Sequence, residues 1–123
     1  MAYQDPNYQT RREAMFPSVT GSASASVMRF AMFQKATLKK VHAVINTAGT
    51  NTTAAMDVYV GTASVGTIVL GTNAAGSVMS SGALNAAVAQ GPTLIELKGI
   101  ANSATVAFSP TFEYTLDHDG TVS

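Results

Sequence analysis

The chain contains no cysteine, which excludes disulfides, thiolate metal sites and a cysteine nucleophile. Tryptophan is absent too, and with it the largest ring on which a sugar could stack. Charged residues make up 11% of the 123 positions, less than half the roughly 25% usual for soluble domains. A surface so rich in Ser, Thr, Gly and Ala either faces other protein or is simply neutral towards water. No apolar run approaches the roughly 20 residues that span a bilayer, and the first twenty residues are too polar for a secretory signal. The expected product is soluble, made in a cytoplasm and without a membrane partner.

Chemical motifs are missing as well. Gly61 and Gly66 in GTASVGT have phosphate-loop spacing, but the required lysine is Thr67, so they are expected to mark a hairpin turn. Asp117, His118 and Asp119 are adjacent, and on an extended chain their side chains point to opposite sides, which disfavours one shared ion. His42, beside Lys40, is the other histidine and is expected at a surface or interface. No Gly-x-Ser-x-Gly elbow occurs, and no spacing nominates a pair among Asp57, Glu96, Glu113, Asp117 and Asp119. The sequence therefore points to a non-enzyme, with no catalytic residue, cofactor or metal.

What is present is period-two alternation. From Thr37 to Leu70 the sequence predicts three strands: Val41, Ala43 and Ile45 alternate with Lys40, His42 and Val44, and Met56, Val58 and Val60 with Asp57 and Tyr59. Thr47–Thr53, with Gly49 and Asn51, suits a hairpin loop between the first two. The unbroken apolar run Val65–Leu70 predicts a third strand covered on both sides. Upstream, Met28, Phe30 and Met32 share a face opposite Val27, Arg29, Ala31 and Phe33, as in a central strand or one covered by a partner. Ser77–Gln90 reads as strands or an irregular crossing. Leu94–Lys98 and Ala104–Ser109 are expected to form a second hairpin, with Pro110 marking a bulge, bend or edge before Thr111–Asp117. Short strands with turn signals every 8 to 12 residues are the signature of a sandwich or barrel, and 123 residues allow one domain.

Residues 1–22 lack this alternation. Thr10 and Glu13 fit a capping box, predicting one or two helical turns over 11–16 that end at Pro17. The apolar anchors Tyr3, Tyr8, Met15 and Phe16 imply that the segment either packs along its own domain or docks on a neighbouring copy or another protein. Net charge is zero, but residues 1–40 carry six basic side chains against two acidic ones, and the remainder one against five. Attraction between the halves can act within the chain or between copies. Basic and aromatic residues are not interleaved on one surface, so nucleic acid is not an expected partner.

Taken together, the leading segment, TLKKVHAVINTAGT (37–50), DVYVGTASVGTIVLGT (57–72) and FEYTLDHDG (112–120) in a cysteine-free chain rich in Ala, Ser, Thr and Gly resemble small virion proteins of tailed bacteriophages, in particular capsid decoration or cement proteins. The resemblance implies an all-β fold: an antiparallel, jelly-roll-like β-sandwich over residues 23–123 behind an extended N-terminal arm, residues 1–22. It also implies a homo-oligomer, a trimer favoured, made in the host cytoplasm and placed on the virion capsid surface, where it binds and stabilises the major capsid protein shell. Tyr3, Tyr8, Arg11, Arg12, Met15 and Phe16 would then be protein-interface residues. On this view, removing residues 2–20 would leave a folded domain. The alternatives are a phage tail, fibre or connector subunit, and a carbohydrate-binding β-sandwich module, for which Tyr59 is the ring expected on a polar face.

Overall fold

A computed structural model describes residues 10–100 and 105–116. Among them there are ten strands and no helix: β1 (Thr10–Met15), β2 (Val19–Thr20), β3 (Ser26–Met32), β4 (Ala36–Thr47), β5 (Ala55–Val60), β6 (Ala63–Val69), β7 (Val78–Ser80), β8 (Ala86–Val88), β9 (Thr93–Gly99) and β10 (Ala107–Leu116). All pairings are antiparallel. One sheet runs β1-β10-β4-β7, with β2 beside β10 and β8 beside β4, and the other runs β3-β9-β5-β6. β1 and β2 lie end to end along β10, as β7 and β8 do along β4.

The alternation read from the sequence is the alternation of burial. Val41, Ala43 and Ile45 of β4 are fully buried, together with Phe108 and Phe112 of β10. They share one cluster with Met56 and Val58 of β5, Ile68 of β6, and Ile95 and Leu97 of β9. Since that cluster draws on both sheets, the two inner faces form a single core between two layers. β4 changes phase midway: Leu38 and Val41 both point inward, and the register with β10 shifts between Glu113 and Tyr114. The extra residue lets Lys39 and Lys40 sit side by side without either entering the core, which is what a β-bulge provides.

Several expectations change. The capping box does not produce helical turns over 11–16; those residues belong to β1, paired in register with β10 from Thr10↔Leu116 to Met15↔Thr111. A helix of that length is marginal by itself, and six residues of ladder outweigh it. The loop after β4 is not a hairpin, because β4 and β5 lie in different sheets. It is a crossing, fixed by Asn51, whose Oδ1 accepts hydrogen bonds from the Thr53 backbone N–H (2.9 Å) and hydroxyl (2.6 Å). β9 and β10 likewise occupy different sheets, so the second expected hairpin is also a crossing. The true hairpin is β5–β6, turning at Gly61 with φ +63°, a conformation glycine adopts without strain. β6 is an edge strand with Val69 exposed rather than a strand covered on both sides, and β3 is the opposite edge.

Pro110 does not divide two strands: β10 continues through it. Its carbonyl accepts a hydrogen bond from the Phe16 N–H at 3.0 Å, so its ring nitrogen faces the same side, where β1 has ended and β2 has not begun. Pro17 stands in that gap. The missing donor of Pro110 thus meets an interruption in its neighbour, and no ladder bond is lost.

Candidate interaction surfaces

The outer face of the β1-β10-β4-β7 sheet brings a histidine and a carboxylate together. His42 Nε2 lies 3.2 Å from Glu113 Oε2, Glu13 stands opposite Glu113 on β1, and Lys40 stands opposite it on β4. Register places Met15, Thr111, His42 and Ser80 in one row across the sheet, and Ser109, Val44 and Val78 in the next. Met15 is 76% exposed, Val78 66% and Val44 39%. Three apolar side chains therefore stand in water around a histidine and carboxylate pair.

The outer face of the other sheet carries polar side chains that engage one another, beside the exposed Val69 and Leu94. Arg29 reaches Glu96 at 4.0 Å, Lys98 Nζ sits 4.3 Å above the Tyr59 ring, and the Thr67 hydroxyl donates to Asp57 at 2.9 Å. Partners this close leave the Tyr59 ring face covered by an ammonium group.

The two flanks between the sheets differ. On the β6–β7 flank Leu84 packs directly over Gly66, so that a Cβ at Gly66 would collide with the leucine side chain. On the other flank run the edge strands β1 and β3, which on their outward side pair with no strand among the described residues. Phe16, Phe30 and Phe112 meet there, with ring centroids 5.0, 5.0 and 5.6 Å apart in tilted and edge-on contacts, geometries that aromatic pairs favour. Beside them opens an apolar groove of about 320 Å³, lined by Ala14, Phe30, Phe33, Gln34, Tyr114 and Leu116 among others. Phe33 is 67% exposed.

The residues expected to form an interface are described only in part. Tyr3 and Tyr8 lie outside the described residues, as do Asp117, His118 and Asp119. Arg11 is a residue of β1; Arg12 and Met15 are exposed on that strand. Phe16 is half-buried against the core of its own chain, and a deletion reaching residue 20 would remove β1, β2 and this ring together. Sequence reading missed Phe33, Val44 and Val78 as exposed apolar groups. The signal was present for two of them: Val44 shares the phase of Lys40 and His42, and Phe33 is out of phase with Phe30 and Met32. Among the described residues no three His, Asp or Glu side chains gather as a metal site, and no helix is long and apolar enough to cross a membrane. Comparison of the chain with protein-family models, curated proteins and solved structures finds no match.

Proposed function

We propose that this chain is a structural virion protein of a tailed bacteriophage, a decoration or cement protein that binds the shell of major capsid protein as a homo-oligomer, a trimer favoured. The observation that carries the reading is strand order. β1/β2-β10-β4-β7/β8 facing β3-β9-β5-β6, with the chain changing sheet at every connection except β1–β2, β5–β6 and β7–β8, is the order we read as a jelly-roll sandwich, an architecture common in viral capsid and lectin domains. The shell contact on this reading is the outer face of the β1-β10-β4-β7 sheet, where Met15, Val44 and Val78 supply apolar area. A protein that binds only the assembled shell stabilises it by mass action, by about 2.7 kcal/mol per site when free protein is at 100 times Kd. The carbohydrate-binding alternative is weakened by the Lys98 ammonium over Tyr59, which occupies the ring a sugar would need.

Co-sedimentation with shells assembled from the major capsid protein of the same virion tests this. The full chain should pellet with the shells and raise their unfolding temperature. A Met15→Asp, Val78→Asp variant, unchanged in circular dichroism, should bind at least about tenfold more weakly, since two desolvated anchors exceed 1.4 kcal/mol. Equal binding by that variant, or none by the full chain, would overturn the proposal.

A further inference from the structure

We propose that the outer edge of β6 is a joint between two copies of this chain, in which the two β6 strands pair antiparallel about a two-fold axis at Ile68. The backbone of that edge is open. The Leu70 N–H donates to the Ala54 carbonyl at 2.9 Å, and the β5–β6 register runs from Ala55↔Val69 to Val58↔Gly66. Bonded and non-bonded positions alternate along an antiparallel ladder, so Gly66 and Ile68 direct their amide and carbonyl groups at β5, while those of Thr67 and Val69 point away from it. On β5 the alternate set faces β9, as the Ile100 N–H on the Ala55 carbonyl shows. β6 ends its sheet, Thr67 is exposed and Val69 is 55% exposed, and no described residue hydrogen-bonds to their outward backbone groups.

The other sheet edges carry features that discourage a second strand. β1 holds Arg11, Arg12 and Glu13 and stops before Pro17; β3 carries Arg29 and a register shift between Ser26 and Met28; β7 and β8 have three residues each. Charge, irregularity and brevity keep an edge single. β6 has seven residues, ASVGTIV, of which none is charged or proline and four are β-branched. An uncharged strand whose inward and outward residues match would fit this edge, and β6 itself meets both conditions. Pairing about Ile68 sets Thr67 of one copy opposite Val69 of the other, both outward, and Gly66 opposite Leu70, both inward, with no like charges brought together. Pairing about Thr67 instead would set Val65, which packs against the core, opposite the exposed Val69, a mismatch of faces. Regular pairing is therefore confined to Gly66–Leu70. Leu84 closes the inner side of Gly66, so the seam is made by backbone and by the outward Thr67 and Val69. So short a seam falls far below the roughly 20 to 30 residues a side of a standard interface, which makes the joint weak and dependent on concentration. The proposal goes beyond the shell reading and does not depend on it.

Hydrogen exchange and sedimentation of the full chain, from micromolar to near-millimolar concentration, test it. The amides of Gly66 and Ile68 should be protected throughout, whereas those of Thr67 and Val69 should exchange freely in dilute solution and slow as the mass rises, by about tenfold where nine-tenths of the chain is paired. Val69→Lys brings like charges to both sides of the axis, and Val69→Pro removes only an outward donor. Each variant, unchanged in circular dichroism, should have half the mass of the full chain at the highest concentration and leave the Thr67 amide exchanging freely. Leu94→Lys, which places the same charge on the same sheet away from the edge, should behave as the full chain does. A full chain no heavier than the Val69→Lys variant at near-millimolar concentration overturns the proposal. So does a doubled mass with Thr67 and Val69 still exchanging freely, which would place the contact elsewhere, and so does protection of both amides that does not change with concentration. Should Val69→Pro fail to fold, the lysine variant decides. Shell binding enters none of these readings, so either proposal can fail alone.

Discussion

Replacing Phe16 by alanine is expected to destabilise the domain by about 2 to 3 kcal/mol. Truncating a fully buried phenylalanine costs about 3 to 5 kcal/mol, and Phe16 is only half-buried, which brings the packing loss to about 1.5 to 2. Its ring also meets Phe30 at 5.0 Å and Phe112 at 5.6 Å, and such pairs contribute about 0.5 to 1.5 kcal/mol each beyond area, partly overlapping with the first figure. Against a total stability of about 5 to 15 kcal/mol, the loss is easily measured. Because tryptophan is absent, far-ultraviolet circular dichroism during urea unfolding is the suitable probe. With a slope of about 1 to 3 kcal/mol per molar, the midpoint should fall by roughly 1 to 2 M and the slope should stay unchanged. Met15→Ala is the internal control. It alters the neighbouring residue, which is 76% exposed, and should shift stability by no more than about 0.5 kcal/mol. A double-mutant cycle with Phe30→Ala should return a coupling of about 0.5 to 1.5 kcal/mol. If Phe16→Ala proves as silent as Met15→Ala, then residues 10–20 are an appendage and not part of the fold, and the reasoning is refuted.

Two further predictions concern sites where packing is closest. Gly99→Ala would drive its new Cβ into the Ser22 backbone, which cannot yield without moving the β2–β3 connection, so a loss of about 2 to 4 kcal/mol is expected; Gly66→Ala meets only the tip of Leu84 and should cost about 1 to 2 kcal/mol, and thermal unfolding showing equal effects would contradict the difference between backbone and side-chain obstruction. Thr115 has a buried hydroxyl oxygen without a hydrogen-bond partner, so the near-isosteric Thr115→Val should be neutral or stabilising by about 1 kcal/mol, and a measured destabilisation above that size would mean that the oxygen has a partner.

Alternation made the strands readable because it records which face is wet, and that is decided residue by residue: β4, β5, β9 and β10 carry it plainly. Alternation does not record which strand lies alongside. A strand has the same pattern in either sheet, so the connections after β4 and after β9 were equally compatible with hairpins and with crossings. β1 was illegible for a different reason. TRREAM has no apolar phase of its own, since its two apolar residues, Ala14 and Met15, are adjacent and face opposite sides, and it is a strand because β10 presents a free edge, with Phe16 just beyond locking the end. The groove could not be read at all, since it depends on two edge strands from different sheets running along one flank.

The exposed positions bear on the choice the composition left open, between a surface that is merely neutral and one that meets other protein. A merely neutral sheet face would carry Ser and Thr at every outward position, as Ser80, Ser109 and Thr111 do. Instead Met15, Val44 and Val78 interrupt them on the same face. Each of these side chains would gain about 1.5 to 3 kcal/mol on full burial, and none is needed for the core, whose inward positions are already filled by Val41, Ala43 and Met79. β-propensity explains valine on a wet face but not an unbranched methionine on an edge strand. On the proposed shell reading the face of the β1-β10-β4-β7 sheet is the contact, and replacement of Met15 by aspartate should weaken shell binding while leaving the fold unchanged.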